Sequence, residues 1–262
     1  MQAKLTKSLG VSVRVIAGIL MVAVMLPAQP SQPTIKLIYT FRTFGIPTAI
    51  VEVSPGKFLG LIVTPPGIFS ITSDGSYVNL YTFPSNPSSI GAIGLTPALN
   101  AQTYGSAQNS GPVTIFSELF SVAPNGKLTT HAYNGSTQGG PNIPVQHPDN
   151  YLYSIFGIEG GSQTFSRLGY SGDFTPLYTF TGGGYPAFDT MFLSTQGDFF
   201  GVWLTTNTVA GIYRVSPTGS FSWLVPSFPT GGINNESVGL LQASNGKLYG
   251  TLPQNGPGAG SI

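Results

Sequence analysis

The sequence predicts an all-β protein, a β-propeller of about five four-stranded blades with a repeat of about 47 residues. Three observations predict this fold. Two series of landmark residues recur at the same spacing, the repeats contain short β-rich runs around glycine turns, and no segment of the mature chain shows helical periodicity.

The repeat is visible in two independent landmarks. A large apolar or aromatic residue followed by a small one occurs at 59–60, 104–105, 153–154, 200–201 and 249–250, with spacings of 45, 49, 47 and 49 residues. An aromatic residue ends a strand-like run at Phe41, Phe83, Tyr133, Phe180 and Phe228, with spacings of 42, 50, 47 and 48 residues. Two series with one period indicate tandem repeats rather than chance.

The strands within a repeat are predicted from turn residues. In the first repeat Asp74-Gly75 separates two β-rich runs, and this pair tolerates the positive φ angles of a tight hairpin turn. The same hairpin is predicted around Gly126, Gly172 and Gly219, and a second hairpin around Gly56, Gly197 and Gly246. Four short strands per repeat are typical of a propeller blade. The alternatives are a β-solenoid, which usually has shorter coils, and a transmembrane β-barrel, which has strands of about ten residues.

Two segments are predicted along the chain: a signal peptide at 1–28 and the repeat domain at 29–262. Lys4, Lys7 and Arg14 precede an apolar run from Val15 to Leu26, and Pro27-Ala28 closes it, as in secretory signal peptides. A retained N-terminal anchor is the alternative, although the run is short against the about 20 residues of a membrane span. Cleavage removes three of the ten basic residues and leaves nine acidic ones, a net charge of −2.

The two ends of the repeat domain complement each other. The run 35–41 matches the last strand of a repeat, and the tail after Phe228 supplies a first strand, a second strand and the opening of a third at 260–262. An N-terminal strand that completes the C-terminal blade would close a ring of five. A repeat array that is cut in mid-strand at Ile262, and is therefore incomplete at its C-terminus, is the other interpretation, and both stay open.

The low content of charged residues limits the classes of molecule that the protein is expected to bind. Charged residues make up 7% of the chain, against about 25% in ordinary soluble domains. Nucleic-acid binding needs clustered Lys and Arg and is not expected. An uncharged, aromatic surface suits a neutral polysaccharide or a surface protein, and a membrane contact is expected only through an uncleaved signal segment.

The last repeat resembles a known bacterial one. The stretch Asn245-Gly246-Lys247-Leu248-Tyr249-Gly250-Thr251 and the glycines at 256, 258 and 260 are similar to the GloVer tandem repeat, which has a Tyr-Gly-Thr step followed by spaced glycines. The hairpins 68–83 and 165–180 resemble its second half. The resemblance implies an exported protein, often with one of several C-terminal surface anchors, and no established activity.

Few residues are candidates for chemistry. His147 lies beside Asp149 in a loop, where the pair could act as a base and its orienter, although a solvated turn explains it better; the other histidine, His131, lies in a strand. The carboxylates that could converge in a central channel for glycosidase-type chemistry are Glu52, Glu118, Glu159, Asp189 and Glu236. Asp74, Asp173 and Asp198 each neighbour a turn glycine. The chain has no cysteine and no set of residues at metal-ligand spacing, so no metal site and no cofactor are expected.

The candidate ligand-binding residues are three tyrosines predicted to lie in exposed loops: Tyr104, Tyr151 and Tyr185. A tyrosine ring with its hydroxyl suits stacking on a sugar. The sequence thus favours a secreted or cell-surface, non-enzymatic binding module for a neutral polymer or a protein. The alternatives are a purely structural surface repeat protein and a glycosidase or lyase with channel carboxylates.

Overall fold

The computed structural model describes residues 14–16, 19–23, 35–41, 45–83, 90–109, 117–132, 142–157, 162–181, 184–186, 191–206, 209–229 and 239–251. Every regular element in these ranges is a β-strand, as the sequence predicts. No helix that could span a membrane occurs in the described part of the chain. The chain divides into two compact units, residues 1–83 and 84–262.

The first unit holds two antiparallel sheets. One contains β1 (Arg14–Ile16), β2 (Ile19–Ala23) and β3 (Ile35–Thr40), in that order. The other, blade 1, contains β4 (Pro47–Ser54), β5 (Lys57–Val63), β6 (Pro66–Thr72) and β7 (Tyr77–Thr82), in that order. Strands β1 and β2 lie in the predicted signal peptide, and β2 pairs with β3. Cleavage after Ala28 stays a prediction.

The second unit continues the repeat. Blade 2 contains β8 (Ile90–Pro97), β9 (Thr103–Asn109), β10 (Ser117–Val122) and β11 (Leu128–Ala132). Blade 3 contains β12 (Val145–Gln146), β13 (Leu152–Phe156), β14 (Gln163–Leu168) and β15 (Phe174–Phe180). Blade 4 contains β16 (Tyr185–Pro186), β17 (Phe192–Leu193), β18 (Phe199–Thr206), β19 (Val209–Val215) and β20 (Phe221–Pro229), with β16 and β17 along the same strand β18. The end sheet contains β21 (Leu240–Gln242) and β22 (Leu248–Gly250).

The small residue of the first landmark makes room for a ring on the next strand. Phe69 lies directly across from Gly60, and a Cβ added to Gly60 would lie 2.2 Å from its Cζ. Gly201 and Tyr213 form the same pair in blade 4, where the added Cβ would lie 2.4 Å from the tyrosine Cζ. The glycines are therefore required by a close approach.

The first turn of each repeat places one residue in the left-handed region. Gly56, Gly197 and Gly246 have φ angles of 73°, 89° and 80°, and Ala101 and Asn150 occupy the equivalent positions with φ angles of 62° and 68°. Glycine adopts these angles without steric cost, whereas alanine does not. The turn therefore has the same left-handed geometry in blades 2 and 3, where alanine or asparagine replaces the glycine.

The core lies between the faces of neighbouring sheets. One cluster joins blades 3 and 4 and contains Tyr153, Phe165, Phe199, Trp203 and Tyr213, all at most 3% exposed. Aromatic residues dominate it because each buries a large apolar area between two sheet faces.

Candidate functional site

A cleft of about 260 Å³ opens in the first unit beside β3 and the outer strands of blade 1. Its lining residues are Tyr39, Phe41, Gly45, Ile62, Thr64, Pro65, Gly67, Tyr77, Asn79 and Thr82. Asn79 and Thr82 are exposed and the two tyrosines are half-buried, so the cleft is open to solvent. A cleft with apolar walls and a few polar groups is the usual form of a ligand site.

Aromatic rings form one wall of the cleft. Tyr39 and Phe41 are two residues apart in an extended segment and therefore face the same side. The Tyr39 ring stacks on that of Tyr77 with centroids 4.7 Å apart and planes 9° apart. Phe41 packs edge-on against Phe69 and Tyr77, at 5.2 Å and 5.8 Å. These contacts fix the orientation of both tyrosine rings.

The polar groups of the cleft are neutral. Asn79 Nδ2 donates a hydrogen bond of 2.9 Å to Thr82 Oγ1. Burial, and to a smaller extent the neighbouring Tyr39, raises the pKa of Tyr77, so its phenol stays protonated at physiological pH. Among the described residues, the lining contains no carboxylate, histidine, lysine or arginine. The described lining can thus offer ring faces, hydroxyls and an amide to a ligand.

The prediction that Tyr104 is an exposed loop residue is wrong. Tyr104 lies in β9 and is 0% exposed. Its hydroxyl accepts a hydrogen bond from Asn100 Nδ2 at 2.9 Å and donates one to the carbonyl oxygen of Tyr170 at 3.2 Å. The following blade covers its ring, which leaves no face for a ligand.

The two other predicted tyrosines have different outcomes. Tyr151 is exposed at 38%, and the guanidinium of Arg167 lies over its ring, 4.4 Å from the centroid. One face of Tyr151 is therefore occupied. Tyr185 lies in the short strand β16, and its side chain falls outside the described residues. Neither tyrosine is among the described residues that line the cleft.

The predicted contact between His147 and Asp149 is present. The Asp149 Oδ1 lies 2.9 Å from His147 Nδ1, and its Oδ2 accepts a hydrogen bond of 2.7 Å from the hydroxyl of Tyr153. Burial acts to raise the pKa of Asp149, but the hydrogen bonds from Tyr153 and His147 outweigh it and the pKa lies below its usual value. Asp149 is hydrogen-bonded to the hydroxyl of Tyr153, and Asn100 makes the equivalent hydrogen bond to the hydroxyl of Tyr104. This repetition favours a structural role for the pair.

The candidate channel carboxylates are only partly described. Glu52 lies in β4, and its Oε1 accepts a hydrogen bond of 2.9 Å from the Gly56 amide. Glu118 lies in β10, with its side chain outside the described part; Glu159, Asp189 and Glu236 lie outside the described residues altogether. In the described ranges no three His, Cys, Asp or Glu residues are grouped closely enough to hold a metal ion.

The turn aspartates behave in two ways. Asp74 accepts hydrogen bonds from the Ser76 amide and the Thr72 hydroxyl, and Asp173 accepts one of 2.6 Å from the Ser171 hydroxyl. Both are turn contacts, as predicted. Asp198 instead accepts from Arg214 Nε at 2.8 Å, across two strands.

Tyr39, Tyr77 and Asn79 line the cleft, and the sequence pattern does not predict them as site residues. For Tyr39 and Tyr77 the repeat predicts only that they lie in strands. The sequence signal lies at position 79. The residues at the matching register in blades 2 and 4, opposite Phe120 and Tyr213, are Thr130 and Trp223, whereas blade 1 has an asparagine opposite Phe69.

Comparisons with known proteins bear on the fold. Neither a protein-family model nor a curated protein matches the sequence. Three similar solved structures are a virginiamycin B lyase from Staphylococcus aureus in complex with quinupristin (14% identity, 89% of this chain and 77% of that chain, TM-score 0.58), a chain of the nidogen/laminin complex (10%, 91% and 84%, 0.60), and a gluconolactonase from Xanthomonas campestris (13%, 83% and 72%, 0.55). At such identities the likeness shows the fold alone. The chain therefore has the all-β fold of β-propellers, as its repeats predict.

Proposed function

We propose that the protein is an exported, non-enzymatic β-propeller, related to the bacterial GloVer repeats, that binds a neutral polysaccharide at the cleft of Tyr39, Tyr77 and Asn79. The observation that carries the proposal is the composition of this cleft. Stacked, oriented tyrosine rings stand beside an exposed amide, and none of the described lining residues is charged.

The chemistry of the cleft suits a sugar ring. A pyranose presents an apolar face, which packs on an aromatic ring, and a rim of hydroxyls, which need neutral hydrogen-bond partners. Tyr77 supplies a phenol and Asn79 supplies an amide that can donate and accept. A charged polymer would leave its charges without partners in this cleft.

The same composition supports a binding role rather than catalysis. Glycoside hydrolysis uses a pair of carboxylates flanking the bond. The described residues of the cleft lining include no carboxylate. The solved structures of the same fold include a lyase and a gluconolactonase, which keeps an enzyme as the second candidate.

The test is binding of neutral polysaccharides, such as xylan, dextran and mixed-linkage glucan, to the protein from residue 29 onward. We expect Asn79→Ala to lower the affinity at least about ten-fold. The matched control is Thr130→Ala, which changes the exposed residue at the equivalent register position of blade 2. Affinity should stay constant between about pH 5 and pH 9, because no lining residue carries a side chain that ordinarily titrates there.

Two results would contradict the proposal. The absence of binding to every neutral polysaccharide would exclude a sugar as the ligand. An equal loss of affinity in Asn79→Ala and Thr130→Ala would exclude the cleft as the binding site. Release of reducing ends or unsaturated products during incubation would favour the enzyme.

The proposed export of the protein is tested by a separate experiment. Secretion of the full-length chain with a new N-terminus at residue 29, read by mass spectrometry of the medium, is the expected result. A cell-associated chain that retains Met1 would show that the segment is an anchor.

A further inference from the structure

Arg167 and Arg214 occupy equivalent positions in blades 3 and 4. Arg167 lies opposite Tyr153 in the register of β13 and β14, and Arg214 lies opposite Phe200 in the register of β18 and β19. Tyr153 and Phe200 are the large residues of the first landmark. The two arginine side chains therefore start from the same place on the same face of their blades.

In blade 4 the arginine binds a carboxylate of the chain itself. Asp198, the residue just before β18, accepts hydrogen bonds from Arg214 Nε at 2.8 Å and from Arg214 Nη2. The Asp198 side chain is 13% exposed and that of Arg214 is 51% exposed, so the ion pair lies at the surface with its carboxylate on the inner side. Charge-assisted hydrogen bonds from a guanidinium to a carboxylate are short and strong.

In blade 3 a tyrosine replaces that aspartate. Tyr151 is the residue just before β13, as Asp198 is just before β18. The guanidinium of the half-buried Arg167 lies over the Tyr151 ring, 4.4 Å from the centroid. Contact with a ring uses the flat side of the guanidinium, so the N–H groups along its edge can still donate. Within the described ranges no carboxylate lies at ion-pair distance from Arg167.

A hydroxyl group lies on the same face as the guanidinium. Thr175 is directly opposite Arg167 across β14 and β15 and is exposed, so its hydroxyl can donate to an anion bound there. Asp149 is engaged elsewhere, since its oxygens accept hydrogen bonds from the Tyr151 amide and the Tyr153 hydroxyl. We call Tyr151, Arg167 and Thr175 the arginine site.

We propose that the arginine site binds the carboxylate of a small organic acid. The carboxylate would take the place against Arg167 that Asp198 takes against Arg214. The site has one positive charge, which a carboxylate neutralises, whereas a phosphate group of nearly two negative charges would leave part of its charge without a partner. The repeated charges of an acidic polymer would likewise lack partners. The ligand is separate from the polysaccharide that we propose for the cleft.

The experiment is an NMR titration of the isotope-labelled protein that follows the Arg167 Nε–Hε group and the Thr175 amide, at about 20 mM NaCl. Glucuronate and N-acetylglycine are the probes for a sugar acid and for the C-terminus of a peptide, and glucose and N-acetylglycinamide are their uncharged counterparts. At least one acid should bind with a Kd on the order of 1 to 10 mM. About 200 mM NaCl should weaken this binding at least about three-fold, because the ion pair is partly exposed.

Removing the guanidinium tests the position of the site. In Arg167→Gln the Thr175 amide should no longer shift with either acid. The matched control is Arg214→Gln, which removes the same charge from the equivalent position, where Asp198 already occupies the guanidinium. This control should bind the acid as the wild type does.

Reproducing the blade 4 arrangement tests the chemistry. Tyr151→Asp supplies a carboxylate within the chain and should lower the affinity for the acid at least about ten-fold. Tyr151→Asn has the same size without the charge and should stay within about three-fold of the wild type.

The outcomes either support or overturn the proposal. Binding of one acid or of both that is lost in Arg167→Gln and in Tyr151→Asp supports it, and the acid that binds identifies the source of the carboxylate. An equal loss in Arg214→Gln or in Tyr151→Asn overturns it, because general charge or the tyrosine itself would then explain the binding. Equal shifts with the uncharged counterparts, or no shift up to about 50 mM of either acid, overturn it as well.

Discussion

The outer seam of blade 1, where β3 meets β7, and that of blade 4, where β15 meets β20, share one aromatic framework. Tyr39 stacks on Tyr77 with centroids 4.7 Å apart and planes 9° apart, and Tyr178 stacks on Phe221 at 4.5 Å and 5°. The next contacts also match. Phe41 meets Phe69 edge-on at 5.2 Å and 69°, and Phe180 meets Tyr213 at 5.5 Å and 70°. The repeat therefore fixes ring geometry, although the residues differ.

The two seams also differ at the register position opposite Phe69 and Tyr213. Opposite Phe69 lies Asn79, and opposite Tyr213 lies Trp223. In blade 4 the indole packs edge-on against Phe221 at 5.1 Å and covers Gly211. In blade 1 the equivalent Gly67 lines the cleft. The residue at this position is thus one difference between the apolar contact of blade 4 and the open polar cleft of blade 1.

The largest effect is expected where both seams depend on a glycine. Gly60→Ala and Gly201→Ala should each lower the free energy of unfolding by about 2 to 3 kcal/mol, because the new methyl group meets the ring of Phe69 or Tyr213. Urea denaturation measures the loss. Gly169→Ala is the control, since its added Cβ would have no atom closer than 3.7 Å. Equal losses in all three variants would show that chain flexibility, and not ring contact, requires the glycines.

Exchanging the differing residue tests the comparison directly. Trp223→Asn should cost about 1 to 2 kcal/mol of unfolding free energy, since a partly buried indole loses its contact with Phe221. Asn79→Trp should leave stability unchanged and abolish polysaccharide binding, because the indole would close the cleft. Retained affinity in Asn79→Trp would show that the ligand binds elsewhere.

The buried hydroxyl of Tyr213 is expected to destabilise the blade 4 seam, whereas blade 1 has no hydroxyl at the equivalent position. It is completely buried and has no hydrogen-bond partner in the described part of the chain, whereas blade 1 has Phe69 at this position. Tyr213→Phe should raise the free energy of unfolding by up to about 1 kcal/mol. Tyr153→Phe, which deletes a hydroxyl bonded to Asp149, should lower it by a similar amount, about 1 kcal/mol. A loss in both variants, measured by urea denaturation, would indicate an unseen partner for Tyr213.

Alkaline pH should destabilise the blade 1 seam through Tyr77. Burial raises the pKa of Tyr77 above its ordinary value of 10.0, whereas the equivalent residue in blade 4 is Phe221. The folded state therefore holds the phenolic proton more tightly than the unfolded state does. This stabilisation is present below about pH 10 and is lost as the pH rises through the folded-state value.

The measurement is the urea midpoint at increasing pH for the wild type and Tyr77→Phe. The wild type should lose stability above about pH 10, and the variant should lose less of it. Tyr151→Phe removes an exposed phenol and serves as the control. A pH profile in Tyr77→Phe identical to that of the wild type would contradict the assignment. Burial also raises the pKa of Tyr104, Tyr153 and Tyr213, so part of the alkaline loss remains in the variant.

The smallest effect is expected in the first turn of blade 2. Ala101 has a φ of 62° where blades 1 and 4 have Gly56 and Gly197. Ala101→Gly should raise the free energy of unfolding by about 0.5 kcal/mol, since relief of the left-handed strain exceeds the entropic cost of glycine. Ala123→Gly, at a turn position without positive φ, should instead destabilise. Thermal unfolding distinguishes the two signs.

By itself the sequence determined the repeat, its period and the β-strands around its turns. Turn residues such as Asp74-Gly75 and small residues such as Gly60 act locally, through the φ angles and close approaches that only they permit, so their spacing can be read directly. The strand identity of β3 followed from the same pattern.

Only the tertiary structure decided which aromatic residues are buried and where the cleft lies. Tyr104, Tyr153 and Tyr249 have the same local sequence signal, yet the first two are buried and the third is exposed, because burial depends on a neighbouring sheet distant in sequence. The cleft likewise arises where β3 packs beside a strand nearly 40 residues away, at Tyr39 and Tyr77. Such contacts depend on how sheets pack, which the period of a repeat does not specify.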